Sequence, residues 1–143
     1  MTREKHSKAM TIANRLVGQG YSRPAAMIKA WMIVKLARVE TKVVGVTFGR
    51  RQEAIERLTH YAPQRVTISL KRDSQNPHDV NAIAVVATVS GKGSYIMGYV
   101  PRMIAAFVAP LLDAGKAVKS VYRDIFTPSQ PHMSYGLTIG IAV

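Results

Sequence analysis

The stretch from Lys71 to Ile83, with the sequence KRDSQNPHDVNAI, carries the densest set of chemically capable side chains in the chain. Within seven residues it holds two carboxylates, two amides and an imidazole, and a Lys-Arg pair precedes them. Asp and Asn side chains hold such loops in shape, and Pro77 fixes one backbone angle. We therefore expect a rigid loop that presents a carboxylate and an imidazole beside two cations.

Two interpretations of this loop stay open on its residue types alone. Asn76, Asp79 and Asn81 are types that build turns by bonding to nearby backbone amides, which favours a structural role. A carboxylate in a basic setting can also accept a hydrogen bond from a ligand hydroxyl. A nuclease would need acids converging on a metal, for which Asp73 and Asp79 with His78 or His60 are the candidates. The chain has only 8 acids, so we expect no enzyme, metal or cofactor.

Charge is the strongest global signal, with 20 Lys and Arg against 8 Asp and Glu and a formal net charge of +12. Such an excess points to an anionic partner, nucleic acid before an anionic membrane. The absence of cysteine excludes disulfides and thiolate metal sites. No apolar run approaches the roughly 20 residues of a membrane-spanning helix. We expect a soluble cytoplasmic protein without a membrane partner. A nucleoid-associated protein and a virus-encoded protein that acts in a host cytoplasm both stay open within that expectation.

Residues 1–41 predict an N-terminal helical hairpin as a first domain. Apolar residues recur at helical spacing from Lys5 to Val17, and Gly18-Gln19-Gly20 ends the pattern. The second helix is predicted from about Arg23 to Arg38, with Pro24 in its first turn. It is apolar around most of its circumference, including Trp31, which favours packing in the hairpin or a homodimer contact over base recognition.

From Lys42 the period changes to that of strands, so residues 42–143 form the predicted second domain. Strands are predicted at Val43–Phe48, Arg65–Lys71, Ala82–Val89, Tyr95–Val100, Ala117–Phe126 and Met133–Val143. Short helices are predicted at Gln52–Leu58 and from Pro101 to about Gly115. Short strands joined by hairpin turns indicate a mainly β fold with short helices, a small and mostly antiparallel barrel or curled sheet.

Four segments of this second domain carry a family resemblance. They are Val44-Gly45-Val46, the strand from Val66 to Arg72, the motif Asn76-Pro77-His78-Asp79-x-Asn81-Ala82-Ile83 and the motif Ile96-Met97-Gly98-Tyr99-Val100-Pro101-Arg102. Together they resemble the HIRAN domain over about residues 42–143, and the last two motifs are fairly specific as a pair. That family occurs in Swi/Snf-class DNA translocases and as free-standing bacterial and phage proteins, and this chain is similar to the free-standing type.

The resemblance implies an OB-like small antiparallel β-barrel that binds single-stranded DNA and, in fork-remodelling members, captures its 3′ end. On matching positions, Asp79 would accept a hydrogen bond from the terminal 3′-hydroxyl, and Asn76 would shape the loop and contact the terminal nucleotide. His78 replaces a stacking Tyr of those members, and an imidazole can still stack. Arg102 falls at a phosphate-binding position, and Phe48 aligns with an aromatic that stacks a base.

Two further positions depart from the pattern of the fork-remodelling members. Tyr99 stands where they carry a His, and both Tyr99 and Phe48 would also suit a barrel core. Thr47 replaces an Arg that contacts DNA, for which Arg50 and Arg51 could compensate only if their turn folds back toward the loop. The predicted DNA-binding set is Phe48, Lys71, Arg72, Asn76, His78, Asp79, Tyr99 and Arg102, with Arg50 and Arg51 as secondary basic contacts.

The sequence thus predicts a non-enzymatic module that binds single-stranded DNA or DNA 3′ ends and prefers a free 3′-hydroxyl. A carboxylate repels phosphate, so Asp79 suits a hydroxyl end, while Lys71, Arg72 and Arg102 would hold neighbouring phosphates. The main alternative is an accessory or adaptor protein of a mobile-element or phage-type nucleoprotein complex, with the apolar second helix as its dimer interface. A metal-dependent nuclease is the third hypothesis.

Overall fold

The computed structural model describes residues 38–143 and, ahead of them, residues 10, 11, 13–15, 17–20, 22–24 and 26. The predicted second helix, with Trp31 and the proposed homodimer contact, lies largely outside the described residues. The predicted end of the first helix lies within them, and Gly20 there has a φ of 99°. A positive φ is the usual conformation of a glycine that ends a helix. The helical hairpin as a whole stays a prediction.

The described residues form six strands in two antiparallel sheets, together with two well-formed helices after the first strand. In chain order these elements are β1 (Arg38–Lys42), α1 (Arg51–Leu58), a 3-10 turn (Pro63–Arg65), β2 (Val66–Arg72), β3 (Ile83–Val89), β4 (Gly93–Tyr99), α2 (Arg102–Asp113), β5 (Lys119–Phe126) and β6 (Gly136–Ala142). One sheet has the strand order β1-β6-β5 and the other β2-β3-β4. The predicted mainly β architecture is confirmed. Within the described part of the chain, no helix has the length and apolar character of a membrane span.

Alternation along the strands decides which side chains enter the core. In β2, Val66 and Ile68 are buried while Thr67 between them is exposed, as the period of a half-buried strand requires. The same period buries one face of β6, formed by Leu137, Ile139 and Ile141. Ile55 of α1 and Val108 of α2 are fully buried against the same cluster. Both sheets and both helices therefore share one apolar core.

The two sheets meet at two edges without forming one continuous hydrogen-bonded ladder. At one edge, the backbone of Val44 pairs with that of Tyr99 at the end of β4 through two N···O distances of 2.9 and 2.8 Å. At the other edge, Ser120 Oγ of β5 donates to the carbonyl of Ile68 in β2 at 2.8 Å. Because the ladder is interrupted at both edges, the closed OB-like barrel stays a prediction.

The prediction of a first strand at Val43–Phe48 is wrong, because that strand lies earlier in the chain. β1 spans Arg38–Lys42, whose residues pair in register with β6, and Arg38 therefore belongs to a strand and not to a helix. After Val44 forms its single bridge, Gly45 turns the chain away with a φ of 70°. Within residues 42–143, the other predicted strands and helices lie within three residues of the observed bounds.

Candidate nucleic-acid interface

The loop between β2 and β3 is held in shape by its own side chains. Asn76 Oδ1 accepts hydrogen bonds from the backbone amides of His78 at 2.8 Å and Asp79 at 3.1 Å. Asp79 Oδ1 in turn accepts from the backbone amide of Asn81 at 2.9 Å. These are the local side-chain-to-backbone bonds that the Asx residues predict. The loop thus has a defined conformation, in which each of these side chains has a structural role.

Arg72 fastens the loop from the last position of β2. Its guanidinium donates to the carbonyl oxygens of Ala82 at 2.7 Å and Val80 at 2.9 Å. It also contacts both carboxylate oxygens of Asp113, at the end of α2, at 2.9 and 3.3 Å. All three nitrogens are therefore engaged within the protein. Arg72 positions the loop, and a DNA phosphate would have to compete with these bonds for the contact predicted from the sequence.

Asp79 keeps its second carboxylate oxygen turned toward a cation. Asp79 Oδ2 lies 4.0 Å from Arg102 Nε, which is too long for a direct hydrogen bond. The Asp79 side chain is 19% exposed and that of Arg102 is 78% exposed. Both line a pocket of about 290 Å³, together with Pro77, His78, Val80, Asn81 and Ala106. A carboxylate, a guanidinium and an imidazole therefore face one accessible space.

Asp73 has a different environment, because a tyrosine from β4 binds it. The Tyr99 hydroxyl donates to Asp73 Oδ2 at 2.8 Å, and Asn76 Nδ2 donates to the same oxygen at 3.1 Å. The bond from Tyr99 is the main reason that the pKa of Asp73 is lowered. The same bond is the main reason that the pKa of Tyr99 is raised. At neutral pH the pair therefore consists of an ionised acid and a neutral phenol that donates to it.

Gly98 allows the segment after β1 to reach Tyr99. A Cβ atom on Gly98 would clash with the carbonyl oxygen of Val44 and with a methyl group of Val43. Only glycine fits where two backbones approach this closely. The bridge between Val44 and Tyr99 depends on that approach, and it places the following turn beside the tyrosine ring.

The turn after the bridge folds Arg51 back toward this site. Arg51 Nη1 donates to the carbonyl of Gly45 at 2.8 Å. Its guanidinium carbon lies 5.5 Å from the centre of the Tyr99 ring and 5.8 Å from that of Phe48. The turn therefore brings Arg51 back toward the loop, as is required if Arg51 is to compensate for Thr47. Arg51 lies among the predicted site residues and also stacks with two of them.

The remaining residues of the predicted set are Phe48, Arg50 and Lys71. The Phe48 ring is 68% exposed, so it is not a core residue. Lys71 is exposed near the end of β2, one residue before Arg72. Arg50 instead lines a separate groove beside α1, away from the pocket of Asp79.

The contacts above join most predicted residues into one surface. It runs from Phe48 across Arg51 and Tyr99 to the β2–β3 loop and ends at Arg102. We call this surface the loop site, formed by Phe48, Arg51, Asp73, Asn76, His78, Asp79, Tyr99 and Arg102. The role of Asp73 as partner of Tyr99 was missed from the sequence, because no local pattern links residues 26 positions apart.

The acids and histidines proposed for a nuclease do not share one centre. Asp73 binds Tyr99 and Asn76, whereas Asp79 faces Arg102. His60 lies on the turn after α1, where its ring contacts Glu56 at 3.2 Å. Throughout residues 38–143 and the described positions before them, no group of three or more His, Asp or Glu is arranged to hold a metal ion. The lack of enzymatic activity stays a prediction.

Comparison with known proteins gives a family and two related folds. A model of the HIRAN domain matches residues 36–142. The crystal structure of the HIRAN domain of human HLTF is 18% identical, with 74% of each chain covered and a TM-score of 0.45. A crystal structure of a protein from Lactobacillus plantarum is 22% identical, with 73% of this chain and 95% of that chain covered and a TM-score of 0.47. No curated protein matches the sequence.

Proposed function

This chain belongs to the HIRAN domain family, and we propose on that premise that it binds single-stranded DNA and prefers a free 3′-hydroxyl end. One observation carries the preference for an end. Asp79 has one carboxylate oxygen satisfied by the amide of Asn81, and it turns the other into a pocket that it shares with Arg102. The bond from Asn81 thus holds the carboxylate in place through Oδ1 and leaves Oδ2 for a ligand.

The spacing of this acid and base suits a hydroxyl group. A hydroxyl placed between them donates its hydrogen to Asp79 Oδ2 and accepts one from Arg102, so two bonds of about 2.8 Å replace a contact of 4.0 Å. A hydrogen bond to a charged group contributes roughly 1.5–3 kcal/mol net. A terminal phosphate cannot make the first bond at neutral pH, because its oxygens are ionised and the carboxylate repels them.

Stacking and phosphate contacts supply the part of the binding that does not depend on an end. The exposed ring of Phe48 and the exposed imidazole of His78 offer flat surfaces on which bases can stack. Such stacking contributes about 1–3 kcal/mol per base and tolerates any base. Exposed Lys71 and Arg102 are available to phosphates, and Arg51 adds positive charge over the two rings.

We propose further that the protein binds DNA without cleaving it. It would do so in the cytoplasm, where such a protein would meet nucleic acid. Support comes from the two acids of the loop, which face different partners and so do not converge on one point. Incubation of labelled DNA with the full chain and Mg²⁺ or Mn²⁺ tests this part. Cleavage that an Asp79→Ala variant abolishes would replace binding by nuclease activity.

Fluorescence anisotropy with three DNA ligands tests the binding itself. The ligands are a single strand with a 3′-hydroxyl, the same strand with a 3′-phosphate, and a blunt duplex. We expect the 3′-hydroxyl strand to bind most tightly, by roughly tenfold or more, since one charge-assisted bond separates it from the 3′-phosphate strand. Equal binding of all three would assign the affinity to the net charge alone and refute end recognition.

A further inference from the structure

A second groove lies between α1 and the β3–β4 hairpin. It has a volume of about 420 Å³, within the range of about 300–1,000 Å³ that ligand sites occupy. Its floor includes the buried side chains of Ala87 and Met97. We call it the hairpin groove, and its polar and aromatic walls are formed by Arg50, Glu53, Arg57, Tyr61, Lys92 and Tyr95.

We propose that the hairpin groove binds the nucleotides that precede the chain end held in the loop site. This inference rests on the proposed function and adds a second contact segment for the same strand. The charge of the groove supports it first. Arg50, Arg57 and Lys92 are exposed cations, and among the residues that the structure describes Glu53 is the one acid that lines the groove with them. That balance attracts a phosphate backbone.

The aromatic residues of the groove supply surfaces for bases. The Tyr95 side chain is 45% exposed although it lies in the middle of a strand. Tyr61 has one ring face covered by the Arg65 guanidinium, 5.3 Å from the ring centre, and Arg65 is fixed by a 2.9 Å bond to the carbonyl of Ser90. Aromatic rings between cations are the arrangement that binds single strands without base preference.

The groove adjoins the loop site at the start of α1. Arg50 and Arg51 are consecutive, yet Arg51 stacks on Tyr99 in the loop site while Arg50 lines the groove. Along β4, a register shift pairs Tyr95 with Ala87 and Tyr99 with Ala84, so the two rings lie on opposite faces of the sheet. A strand that occupies both places therefore passes over the start of α1, where Arg50 and Arg51 supply positive charge.

The length dependence of binding tests the inference. Anisotropy is measured with 3′-hydroxyl oligonucleotides of about 3 and about 12 nucleotides, lengths below and within the range of single-strand sites. The test variant is Arg57→Gln with Lys92→Gln. The control, Lys116→Gln with Lys119→Gln, removes the same charge from exposed positions that line neither site. A separate Tyr95→Thr variant removes the ring and keeps a residue that favours strands.

We expect the wild type and the control to bind the longer strand more tightly than the shorter one. The test variant should bind the short strand within about twofold of the control, while its affinity for the long strand falls by roughly tenfold. The slope of log affinity against log salt for the long strand should fall by about 1.4, for two lost contacts at about 0.7 each. Tyr95→Thr should weaken binding of the long strand alone, at unchanged salt slope.

Four results would overturn the inference, and they separate it from the proposed function. If the test variant binds each length with the same affinity as its control, only the groove assignment fails. The same holds if the wild type binds the two lengths equally while keeping its 3′-hydroxyl preference. If the wild type binds neither strand, the proposed function fails as well. If a polyglutamate peptide binds the groove, and if the groove adds nothing to the affinity for the long strand, the partner is an acidic protein.

Discussion

The Tyr99 hydroxyl donates a 2.8 Å hydrogen bond to Asp73 Oδ2, and so ties the end of β4 to the loop that carries Asp79. Tyr99 also accepts the Arg51 guanidinium over its ring and pairs with the backbone of Val44. One residue therefore contacts the β2–β3 loop, the start of α1 and the segment after β1. Its side chain therefore helps to position the loop that carries Asp79.

We expect a Tyr99→Phe variant to lose part of the pH dependence of its stability. The pKa of Asp73 is lowered in the folded state, so its contribution is present above the usual value of 3.8 and is lost as the pH falls through the folded pKa. The pKa of Tyr99 is raised, so its contribution is present below 10.0 and is lost as the pH rises through the folded pKa.

Urea denaturation at about pH 7 and about pH 3 measures the part of this pH dependence that Asp73 contributes. The wild type should lose more stability than Tyr99→Phe between these two values. Because Asp73 is accessible to solvent, the difference should be small. If stability depends on pH identically in the two proteins, the tyrosine and the acid are not coupled.

We expect an Asp79→Asn variant to lose the preference for a 3′-hydroxyl. The amide oxygen of Asn can still accept from the backbone of Asn81, so the loop should keep its shape. The variant no longer offers a charged acceptor and no longer repels phosphate. The preference, roughly tenfold or more in the wild type, should fall below about twofold, mainly through tighter binding of the 3′-phosphate strand.

Asp124→Asn is the matched control for this change. Asp124 is an exposed acid on β5, and its replacement raises the net charge by the same amount. Both variants should bind all strands slightly more tightly through charge, but only the change at Asp79 should alter the ratio between 3′-hydroxyl and 3′-phosphate ligands. Equal ratios in both variants would mean that Asp79 does not contact the chain end.

Arg72 and Arg102 should respond in opposite ways when each is replaced by Gln. Arg72 bonds to two loop carbonyls and to Asp113, so its loss should reduce the free energy of unfolding by about 1–3 kcal/mol. Arg102 is exposed, so its loss should change stability by less than about 0.5 kcal/mol. The slope of log affinity against log salt should instead fall by about 0.7.

Chemical denaturation and salt titrations of the two variants separate positioning from contact. A fall in the salt slope for Arg72→Gln, with little loss of stability, would make Arg72 a phosphate ligand after all. An unchanged slope for Arg102→Gln would remove Arg102 from the interface.

We expect a Gly98→Ala variant to be less stable by about 1–3 kcal/mol, the usual range for overpacking. The added methyl group would meet the carbonyl of Val44, which is backbone and cannot move aside cheaply. Gly136→Ala is the control, since its methyl would have an ordinary 3.5 Å contact with the Phe126 side chain. Thermal denaturation compares the two, and equal melting temperatures would refute the close approach at Gly98.

Local patterns predicted most of the fold and part of the site. Alternation placed β2, and glycines with turn residues placed the β3–β4 hairpin and the end of α2. β1 was missed because its sequence, RVETK, is largely charged and half-exposed, and its strand conformation comes from pairing with β6 near the other end of the chain. Pairing between distant segments leaves no local period in the sequence.

The site shows the same division between local and distant contacts. The Asx turns of the loop were predictable, since all their partners lie within three residues. Lys71 and Arg72 looked like a matched basic pair, but consecutive strand residues point to opposite faces, and only Arg72 meets Asp113 and the loop carbonyls. The stacking of Arg51 on Tyr99 likewise depends on a tertiary approach that Gly98 permits.

The interrupted edge between the two sheets has a consequence for hydrogen exchange. β3 and β6 are each paired on both sides, so their amides should exchange with solvent most slowly. Among the described residues, the outer edge of β4 pairs only through Val44 and Tyr99, so the outward amides of its remaining residues should exchange much earlier. The loop site would then adjoin a segment that opens without global unfolding, and a bound strand should slow exchange there first.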